Sequence, residues 1–390
     1  MPAAKRTYAG ELERLEAAGL QRRLLGQEDL GPVRARIDGR EAILFSGNDY
    51  LGLAAHPEVT AAAGRALASY GSSASASRLV SGNLSLYRPL EEKLAMLKGK
   101  EAALVFPSGY LANLGALSAL AAPGDVIFMD RLNHASLYDG WRLSGAAIKR
   151  YRHNDAGHLE TLLETAGAAR RGLIVTDGVF SMDGDLAPLP RLKQLSEKYS
   201  CALVVDDAHG TGVIGPGGSG TAAHFGAETD LEIGTLSKAA GSLGGFVAGS
   251  REIINFLINK SRPFIFTTGL PPASLAAANA SLKLFEREPW RQKRVLELAA
   301  RARRRLKAAG FNVPAGFTPI IPLITGSARS ALRLSGRCLE RGVFIPAIRP
   351  PAVPKNSARL RMTVSAAHSD EELSLAIDVL TASAQELGII

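Results

Sequence analysis

Residues 172–207 read GLIVTDGVFSMDGDLAPLPRLKQLSEKYSCALVVDD and contain one complete repeat of the alternation that runs through the chain. Two short apolar runs, 172–177 and 201–206, flank a segment, LPRLKQLSEKY, whose leucines recur at helical spacing. The pattern predicts a strand, a helix and a second strand. Because a strand that follows a crossover helix runs parallel to the first strand, these elements predict a parallel sheet.

The same alternation extends to both sides of this repeat. Further apolar segments read EAALVF (101–106), DVIFMD (125–130), LEIGTL (231–236) and GGFVAGS (244–250), and helices are expected from Ser108 and His134. Apolar strands that alternate with amphipathic helices are typical of sheets covered on both faces. The sequence therefore predicts an α/β fold with a mostly parallel central sheet.

The two ends of the chain differ from this pattern. Residues 8–24 form an amphipathic, helix-like segment, and IDGR (37–40) resembles a hairpin turn. A long helical stretch at about 272–310 precedes three strand-like segments, PIIPLITG (319–326), GVFIPAIRP (342–350) and ARLRMTVSA (358–366), with helices near 327–341 and 369–387. We predict an N-terminal helical arm (1–44), a large domain (45–275), and a linking helix with a small C-terminal α+β domain (276–390).

The composition excludes several classes of protein. With 46% hydrophobic and 21% charged residues, the 390-residue chain is typical of a folded globular protein. Its net charge of +9 is spread along the sequence without interleaved aromatics, which argues against nucleic-acid binding. The widely separated Cys201 and Cys338 predict neither a disulfide framework nor a zinc site. Neither a signal peptide nor a membrane span is evident, so we expect a soluble, cytoplasmic protein.

Polar residues follow several predicted strands, at the sheet edge where α/β proteins bind ligands. Ser108 and Gly109 follow EAALVF at a helix start, which suits either an anion site or an ordinary N-cap. His134 follows DVIFMD, although a lone histidine at a helix start is more often structural. Ser181 follows GLIVTD in a turn, and loop composition alone does not explain it.

The segment CALVVDDAHGTGVIG (201–215) gives the strongest local signal. Its apolar strand leads directly into Asp206, Asp207 and His209, and such groups are costly to bury unless they bind something. A metal site is the alternative, but the sequence offers no plain further ligand.

Lys238, in GTLSKAAGSLGG (234–245), also follows a predicted strand. Alone it suits a surface cation, a phosphate ligand or a nucleophilic amine. The P-loop pattern GxxxxGK[ST] is absent, and GPGGSG (215–220) does not link a strand to a phosphate-binding helix. An amine, a carboxylate, an imidazole and a helix-end anion site on one sheet edge are what pyridoxal 5′-phosphate requires.

Eight segments together resemble the α-oxoamine synthases, pyridoxal phosphate enzymes with the aminotransferase-like fold type I. They are SRLVSG (77–82), FPSGYLAN (106–113), NHASL (133–137), VFSMDGD (179–185), VDDAHGTG (205–212), TLSKAAG (235–241), FTTGLPP (266–272) and RLRMTVSAAH (359–368). The resemblance runs from SGNDYLGL (46–53) to residue 368. It implies a homodimeric transferase that joins an amino acid to an acyl thioester with loss of carbon dioxide.

Two segments, SRLVSG and AIRPPAVP (347–354), resemble the branch of this family that acts in biotin synthesis. That branch condenses L-alanine with a pimeloyl thioester of coenzyme A or of an acyl carrier protein. The alternative is a sibling enzyme that uses glycine or serine and makes 2-amino-3-ketobutyrate, 5-aminolevulinate or 3-ketosphinganine.

The resemblance also implies roles for single residues. Lys238 would hold the cofactor covalently and act as the base, Asp206 would pair with the pyridine nitrogen, and His209 would contact the ring oxygen. His134 would stack on the ring and assist catalysis. The remaining cofactor contacts would come from backbone and hydroxyl groups of Ser108, Gly109, Tyr110, Ser181 and Thr235, with Thr267 or Thr268 reaching the phosphate of the neighbouring subunit.

For the substrates, the resemblance implies a second group of residues. Arg361 would pair with the amino acid carboxylate, for which a guanidinium fork is well suited, and Arg349 is a second candidate. Asn48 would lie near the reacting groups, and Arg22 would face the acyl substrate. Ala352 occupies a substrate-facing place where the biotin branch often has threonine, so one polar contact is missing.

Overall fold

The computed structural model describes residues 8–22, 24–166 and 171–390. Its strands and helices begin and end where the spacing of apolar residues in the sequence changes. The strands are β1 (Gln27–Gly31), β2 (Arg34–Ile37), β3 (Arg40–Leu44), β4 (Ala102–Phe106), β5 (Val126–Asp130), β6 (Ala147–Tyr151), β7 (Gly172–Asp177), β8 (Cys201–Asp206), β9 (Leu231–Thr235), β10 (Gly245–Gly249), β11 (Ile320–Gly326), β12 (Val343–Phe344), β13 (Ala347–Ile348) and β14 (Ala358–Thr363).

The helices are α1 (Tyr8–Ala17), α2 (Pro57–Tyr70), α3 (Tyr87–Lys98), α4 (Gly109–Leu120), α5 (Ala135–Ser144), α6 (Ala156–Glu164), α7 (Leu189–Lys198), α8 (Thr221–Phe225), α9 (Arg251–Lys260), α10 (Arg262–Ile265), α11 (Pro272–Arg287), α12 (Trp290–Ala308), α13 (Ala328–Glu340) and α14 (Asp370–Glu386). Arg78–Gly82 forms a single π-helical turn. Within the described ranges, no helix is both long enough and apolar enough to cross a lipid bilayer.

The chain divides into two compact units. The larger unit is Asn48–Leu296, and the second unit combines Met1–Gly47 with Glu297–Ile390. The boundaries that the sequence suggests, after residues 44 and 275, stay a prediction.

A seven-stranded sheet forms the centre of the larger unit, in the order β4-β10-β9-β8-β7-β5-β6. Only β10 is antiparallel to its neighbours, because β9 and β10 are joined by the tight turn that contains Lys238. The prediction of a mostly parallel sheet is confirmed. In this register Asp177 of β7 lies directly opposite Asp206 of β8.

Both faces of this sheet are covered, as the continuous apolar strands require. Ile127 of β5 belongs to one buried cluster, which includes residues of α4, α5 and α9. Its neighbour Phe128 belongs to a second cluster, with residues of α6, α7 and α8. Successive side chains of a strand point to opposite faces, so a strand buried on both sides has no polar alternation.

Two helix predictions were too long. The helical stretch predicted for about 272–310 is two helices, α11 and α12, separated by Glu288 and Pro289. Proline lacks the N–H donor and disfavours helical geometry in the residue before it, and Glu288 has φ −124° and ψ 57°. The segment predicted over 8–24 is helical only to Ala17, because Gly19 adopts φ +65° and ends the helix.

The second unit contains two small sheets. The predicted turn in IDGR is confirmed: it joins β2 to β3, with Asp38 and Gly39 both at positive φ, as a tight hairpin requires. GVFIPAIRP does not form one strand, since β12 pairs with β3 whereas β13 pairs with β14. The buried strand β14 lies between β11 and β13, and a capping box of Ser369 and Glu372 starts α14.

Candidate active site

A cavity of ≈ 260 Å³ lies in the larger unit, at the carboxyl ends of β7, β8 and β9 and the starts of α4 and α5. Nine of the residues that line it were predicted, either from their place after strands or from the family resemblance: Ser108, Gly109, Tyr110, His134, Ser181, Asp206, His209, Thr235 and Lys238. The other lining residues are Asn113, Ser136, Asp177, Val179, Ala208 and Ser237. Parallel strands bring these dispersed segments together because their carboxyl ends share one edge.

The start of α4 supplies one side of the cavity. Ser108 caps this helix, and its Oγ accepts a hydrogen bond from the backbone N–H of Leu111 at 3.2 Å. Gly109 is closely packed, since a Cβ there would lie 3.3 Å from Cβ of Thr235, a tight contact. First-turn N–H groups have no acceptor within the helix, and they carry the positive end of its dipole. This corner therefore suits an anion such as a phosphate.

Hydroxyl groups from the turn after β9 line the same corner. The Oγ atoms of Thr235 and Ser237 are 2.8 Å apart, and Thr235 also donates to the carbonyl of Gly244 at 2.9 Å. Gly244 has φ +129°, a conformation that L side chains rarely adopt. The glycines in this segment let the chain reverse direction beside the cavity, so that Lys238 can enter it.

A chain of hydrogen bonds holds Lys238. Its Nζ lies 2.9 Å from Nε2 of His209, and the other ring nitrogen, Nδ1, lies 2.7 Å from the hydroxyl of Tyr50. Tyr50 donates to Oδ1 of Asn48 at 3.2 Å. These contacts are satisfied when the ammonium donates to Nε2 and the imidazole carries its proton on Nδ1. The amine is thereby directed by an imidazole that Tyr50 holds in orientation.

A second chain orients Asp206 and His134 across the cavity. Asn113 donates through Nδ2 to Oδ2 of Asp206 at 2.6 Å and to Oγ of Ser136 at 2.8 Å. Ser136 lies 2.6 Å from Nδ1 of His134, and the N–H of Ala208 donates to the other oxygen of Asp206 at 3.0 Å. The carboxylate is therefore held on both oxygens and fixed in orientation.

His134 is neutral near pH 7. Burial lowers the pKa of His134, and the positive charge of Lys238 lowers it further, although the nearby Asp206 opposes both effects. Nδ1 of the ring also accepts from the backbone N–H of Ser136 at 3.3 Å. An uncharged flat ring held at the cavity wall suits stacking on an aromatic group.

Sequence reasoning missed Asp177, which lines the cavity beside Asp206. Burial raises the pKa of Asp177 well above its ordinary value, and the charge of Asp206 adds to the rise. Its carboxyl group accepts from the N–H of His134 at 3.2 Å. A signal existed, because GLIVTD and CALVVD both end in aspartate and adjacent parallel strands place those ends together. Asn113 and Tyr50 carried no comparable signal.

Asp207 differs from its neighbour Asp206, although the sequence groups them as one cluster. Its side chain is fully buried and accepts from Nζ of Lys98 at 2.5 Å and from Oγ1 of Thr221 at 2.7 Å. Adjacent side chains of an extended segment point in opposite directions. Asp207 therefore belongs to a structural network and does not line the cavity.

Six of the other predicted residues lie elsewhere. Thr267 and Thr268 do not line this cavity, and Thr268 pairs with Ser77 in an isolated bridge. Arg22, Arg349 and Ala352 lie in the second unit, as does Arg361, which is buried in β14. In that unit Arg22 and Arg349 line a cavity of ≈ 710 Å³ together with Leu24, Leu25, Leu332, Leu339 and Phe344.

The residues of the site fit pyridoxal 5′-phosphate. The amine of Lys238, the doubly held carboxylate of Asp206 and the start of α4 occur on one cavity, and the flat ring of His134 forms one wall. A metal site is the poorer fit, since among the described residues no group of three or more His, Cys, Asp or Glu side chains could hold a metal ion.

Comparisons with known proteins agree with this geometry. Residues 40–380 match the family model for aminotransferase class I and II. An 8-amino-7-oxononanoate synthase of Geobacter sulfurreducens is 49% identical over 389 residues, covering 99% of this chain and 100% of that protein. A solved serine palmitoyltransferase variant from S. paucimobilis with bound PLP is 31% identical, with a TM-score of 0.94 over 98% of each chain.

A solved 8-amino-7-oxononanoate synthase from Francisella tularensis has a TM-score of 0.76, is 27% identical, and covers 89% of this chain and 99% of that chain. The predicted fold type I architecture and the predicted resemblance are both confirmed. The chain belongs to the aminotransferase class I and II family and, within it, to the α-oxoamine synthases, which are pyridoxal phosphate-dependent acyltransferases.

Proposed function

We propose that the protein condenses L-alanine with a pimeloyl thioester, either pimeloyl-CoA or pimeloyl carrier protein. The products are 8-amino-7-oxononanoate, carbon dioxide and the free thiol, in biotin biosynthesis. The observation that carries the proposal is that Lys238, His209, His134 and Asp206 line one cavity. The chain that forms this cavity is 49% identical to a protein named 8-amino-7-oxononanoate synthase. A non-catalytic protein on this fold would have no need of all four.

When bound, pyridoxal 5′-phosphate supplies an electron sink for the negative charge that develops at Cα of the amino acid. In this proposal Nζ of Lys238 removes the Cα proton, and Nε2 of His209 lies close enough to hold that proton afterwards. The carboxylate of Asp206, oriented by Asn113, keeps the pyridine nitrogen protonated. The neutral ring of His134 packs against the cofactor and assists condensation.

We propose further contacts of the cofactor from the family resemblance, and Ser108, Gly109, Tyr110, Ser181 and Thr235 of this set line the cavity. The N–H groups of Gly109 and Tyr110 at the start of α4 bind the phosphate, together with Ser108 and Thr235. Ser181 and His209, which also line the cavity, would bind the ring oxygen of the cofactor. Thr267 or Thr268 would complete the phosphate site of a neighbouring subunit in a homodimer.

The substrate-binding roles rest on residue types suited to carboxylates. We propose that Arg361 binds the amino acid carboxylate, with Arg349 as the second candidate, and that Asn48 lies near the reacting groups. Arg22 and Arg349 line an apolar cavity of the second unit, which suits an acyl chain that carries a charged end. Burial lowers the pKa of Arg349 and the charge of Arg22 lowers it further, so an anion would stabilise the pair. Ala352 leaves one polar substrate contact unmade.

We also propose a cytoplasmic location.

A sibling acyltransferase that uses serine or glycine is the second candidate. It is favoured by the TM-score of 0.94 to a serine palmitoyltransferase, against 0.76 to the 8-amino-7-oxononanoate synthase from Francisella tularensis. Backbone likeness reports the scaffold, whereas substrate choice depends on side chains. The higher sequence identity therefore favours the biotin reaction.

An assay of amino acids against acyl donors separates these functions. Holoenzyme should release free thiol and carbon dioxide with alanine and pimeloyl-CoA or pimeloyl carrier protein, and the product should have the mass of 8-amino-7-oxononanoate. Glycine and serine with the same donors are the matched controls. Thiol release with serine and palmitoyl-CoA, but not with alanine, would contradict the proposal.

Replacement of Asp206 by asparagine tests the electrostatic role of this carboxylate. The variant should still bind the cofactor through Lys238 and the phosphate corner, but turnover should fall by about 10²–10³-fold because a charge aimed at the reacting group is lost. Turnover is measured by thiol release, and Asp378→Asn, an exposed substitution in α14, is the control. Unchanged turnover in the Asp206 variant would remove this carboxylate from the mechanism.

A further inference from the structure

One half-buried histidine outside the cavity, His153, lies between two carboxylates. Nδ1 of His153 is 3.1 Å from Oδ1 of Asp130, and Nε2 is 2.9 Å from Oδ2 of Asp185. Asp130 is fully buried, and the rings of His153 and Phe180 pack perpendicular to each other with their centroids 4.4 Å apart. We refer to His153, Asp130 and Asp185 as the clamp.

The clamp requires a charged ring. A neutral imidazole has one donor and one acceptor nitrogen, whereas both nitrogens of His153 face carboxylate oxygens, which only accept. Burial opposes the charge, but hydrogen bonds and charge attraction from Asp130 and Asp185 outweigh it and raise the pKa of His153 to about 10. The single positive charge of the imidazolium thus lies between two negative carboxylates, and one of them, Asp130, has no access to water.

Each carboxylate belongs to a segment that lines the candidate active site. Asp130 ends β5 and accepts from the N–H of Leu132 at 2.8 Å, at the beginning of the turn that leads to His134. Asp185 ends the hairpin-like turn whose other residues include Val179 and Ser181, both on the cavity wall. The ring therefore ties together the two segments that deliver His134 and Ser181.

Asn154 strengthens the same connection. Its backbone N–H donates to Asp130 at 2.8 Å, and its Nδ2 donates to Oδ2 of Asp185 at 2.8 Å and to the carbonyl of Leu186 at 3.1 Å. It does so from a left-handed conformation, with φ +53°, which asparagine tolerates better than most residues. Several polar atoms thus converge on a cluster of side chains for which the sequence predicted no role.

We propose that His153, held as an imidazolium between Asp130 and Asp185, is a positioning residue that sets the placement of His134 and Ser181 for cofactor binding. The proposal rests on the proposed cofactor site. His153 would act only by fixing the segments that carry Asp130 and Asp185, without contacting the cofactor or the substrate.

The charge of the ring can be measured without any substrate. In protein labelled with ¹⁵N-histidine, one of the seven histidines should keep both ring nitrogens protonated up to about pH 10, and its signals should vanish in His153→Gln. Stabilisation by the clamp should be complete below pH 6.5, the ordinary pKa of histidine, and should disappear as the pH rises through about 10. A His153 ring that is neutral at pH 8 would overturn the proposal.

Binding of pyridoxal 5′-phosphate, measured by equilibrium dialysis, tests the positioning role. His153→Gln should raise the dissociation constant about tenfold or more, by analogy with the loss of metal affinity when the hydrogen-bond partners that orient metal ligands are removed. The control is His224→Gln, at an exposed position of α8, which should bind as the wild type does. Wild-type affinity in a folded His153→Gln protein, with only the melting temperature lowered, would make the residue merely structural and contradict the proposal.

Asp185→Asn provides a second variant if His153→Gln does not fold. It keeps the shape of the clamp but removes one negative charge, so the titration of His153 should move to lower pH, and cofactor binding should weaken less than in His153→Gln. An unchanged titration would show that Asp185 does not hold the charge and would overturn the clamp. Failure of the wild-type protein to bind the cofactor would contradict the proposed function instead, because the titration does not depend on the cofactor.

Discussion

Replacement of Lys238 by alanine is expected to abolish turnover, with a loss of about 10³–10⁴-fold or more, because one amine serves as covalent anchor and as base. The geometry supports both roles: Nζ is 2.9 Å from Nε2 of His209, at the wall of the cavity that also contains Asp206. No other described lysine lines this cavity.

Two measurements check this prediction. Thiol release reports turnover, and borohydride reduction followed by peptide mapping should attach the cofactor to the wild-type peptide that contains Lys238 and to no peptide of the variant. Lys260→Ala, at an exposed position in the last turn of α9, should behave as wild type. A Lys238→Ala protein that retains the reducible cofactor and turns over would contradict the assignment.

Replacement of Lys98 by methionine is expected to cause the largest loss of stability, about 3–5 kcal/mol. Nζ of Lys98 is fully buried, 2.5 Å from Oδ2 of Asp207 and 3.1 Å from Oε2 of Glu232. Burial opposes the charge, yet the two carboxylates outweigh it and raise the pKa of Lys98. Methionine would fill the space but remove this counter-charge from Asp207 and leave Glu232 with only the more distant Lys100, whose Nζ is 3.8 Å from Oε1. A loss of this size is a large part of the usual free energy of unfolding, about 5–15 kcal/mol.

Urea unfolding of the apoprotein, followed by far-UV circular dichroism, measures the loss. Lys355→Met, at an exposed loop position, should change stability by less than about 0.5 kcal/mol. The double variant Lys98→Met with Asp207→Asn should be less destabilised than the sum of its two single variants, because one stranded charge is also removed. Additive losses would show that Lys98 and Asp207 do not interact.

The packing around this network explains the glycines near Asp207. A Cβ at Gly220 would lie 1.9 Å from Oδ2 of Asp207 and 2.5 Å from Nζ of Lys98, and a Cβ at Gly210 would lie 2.1 Å from Oδ1 of Asp207. Gly220 is the last residue of the glycine-rich run GPGGSG (215–220), and a larger side chain at this position would collide with Asp207 and Lys98. The run serves packing, which agrees with the rejection of a nucleotide loop from its sequence.

Local patterns predicted most of the central sheet because each signal is contained in one segment. The apolar runs of β4, β5, β7, β8, β9 and β10 and the helix starts at Ser108 and His134 occur where expected. Elements without such a signal were missed. β6 has the sequence AIKRY, whose charged residues resemble a loop more than a strand, and it occupies the sheet edge, where polar side chains reach water.

The sequence by itself determined the chemistry of this protein. Alternating strands and helices fix which residues follow the strands, and the carboxyl ends of parallel strands share one edge of the sheet. The sequence therefore predicts that Lys238, Asp206, His134 and Ser108 lie together. The tertiary structure alone decided how these groups are held. The contacts of Tyr50 with His209, Asn113 with Asp206, and Lys98 with Asp207 span 159, 93 and 109 residues. Such pairings depend on distance and angle between segments remote in the chain, and no local periodicity encodes them.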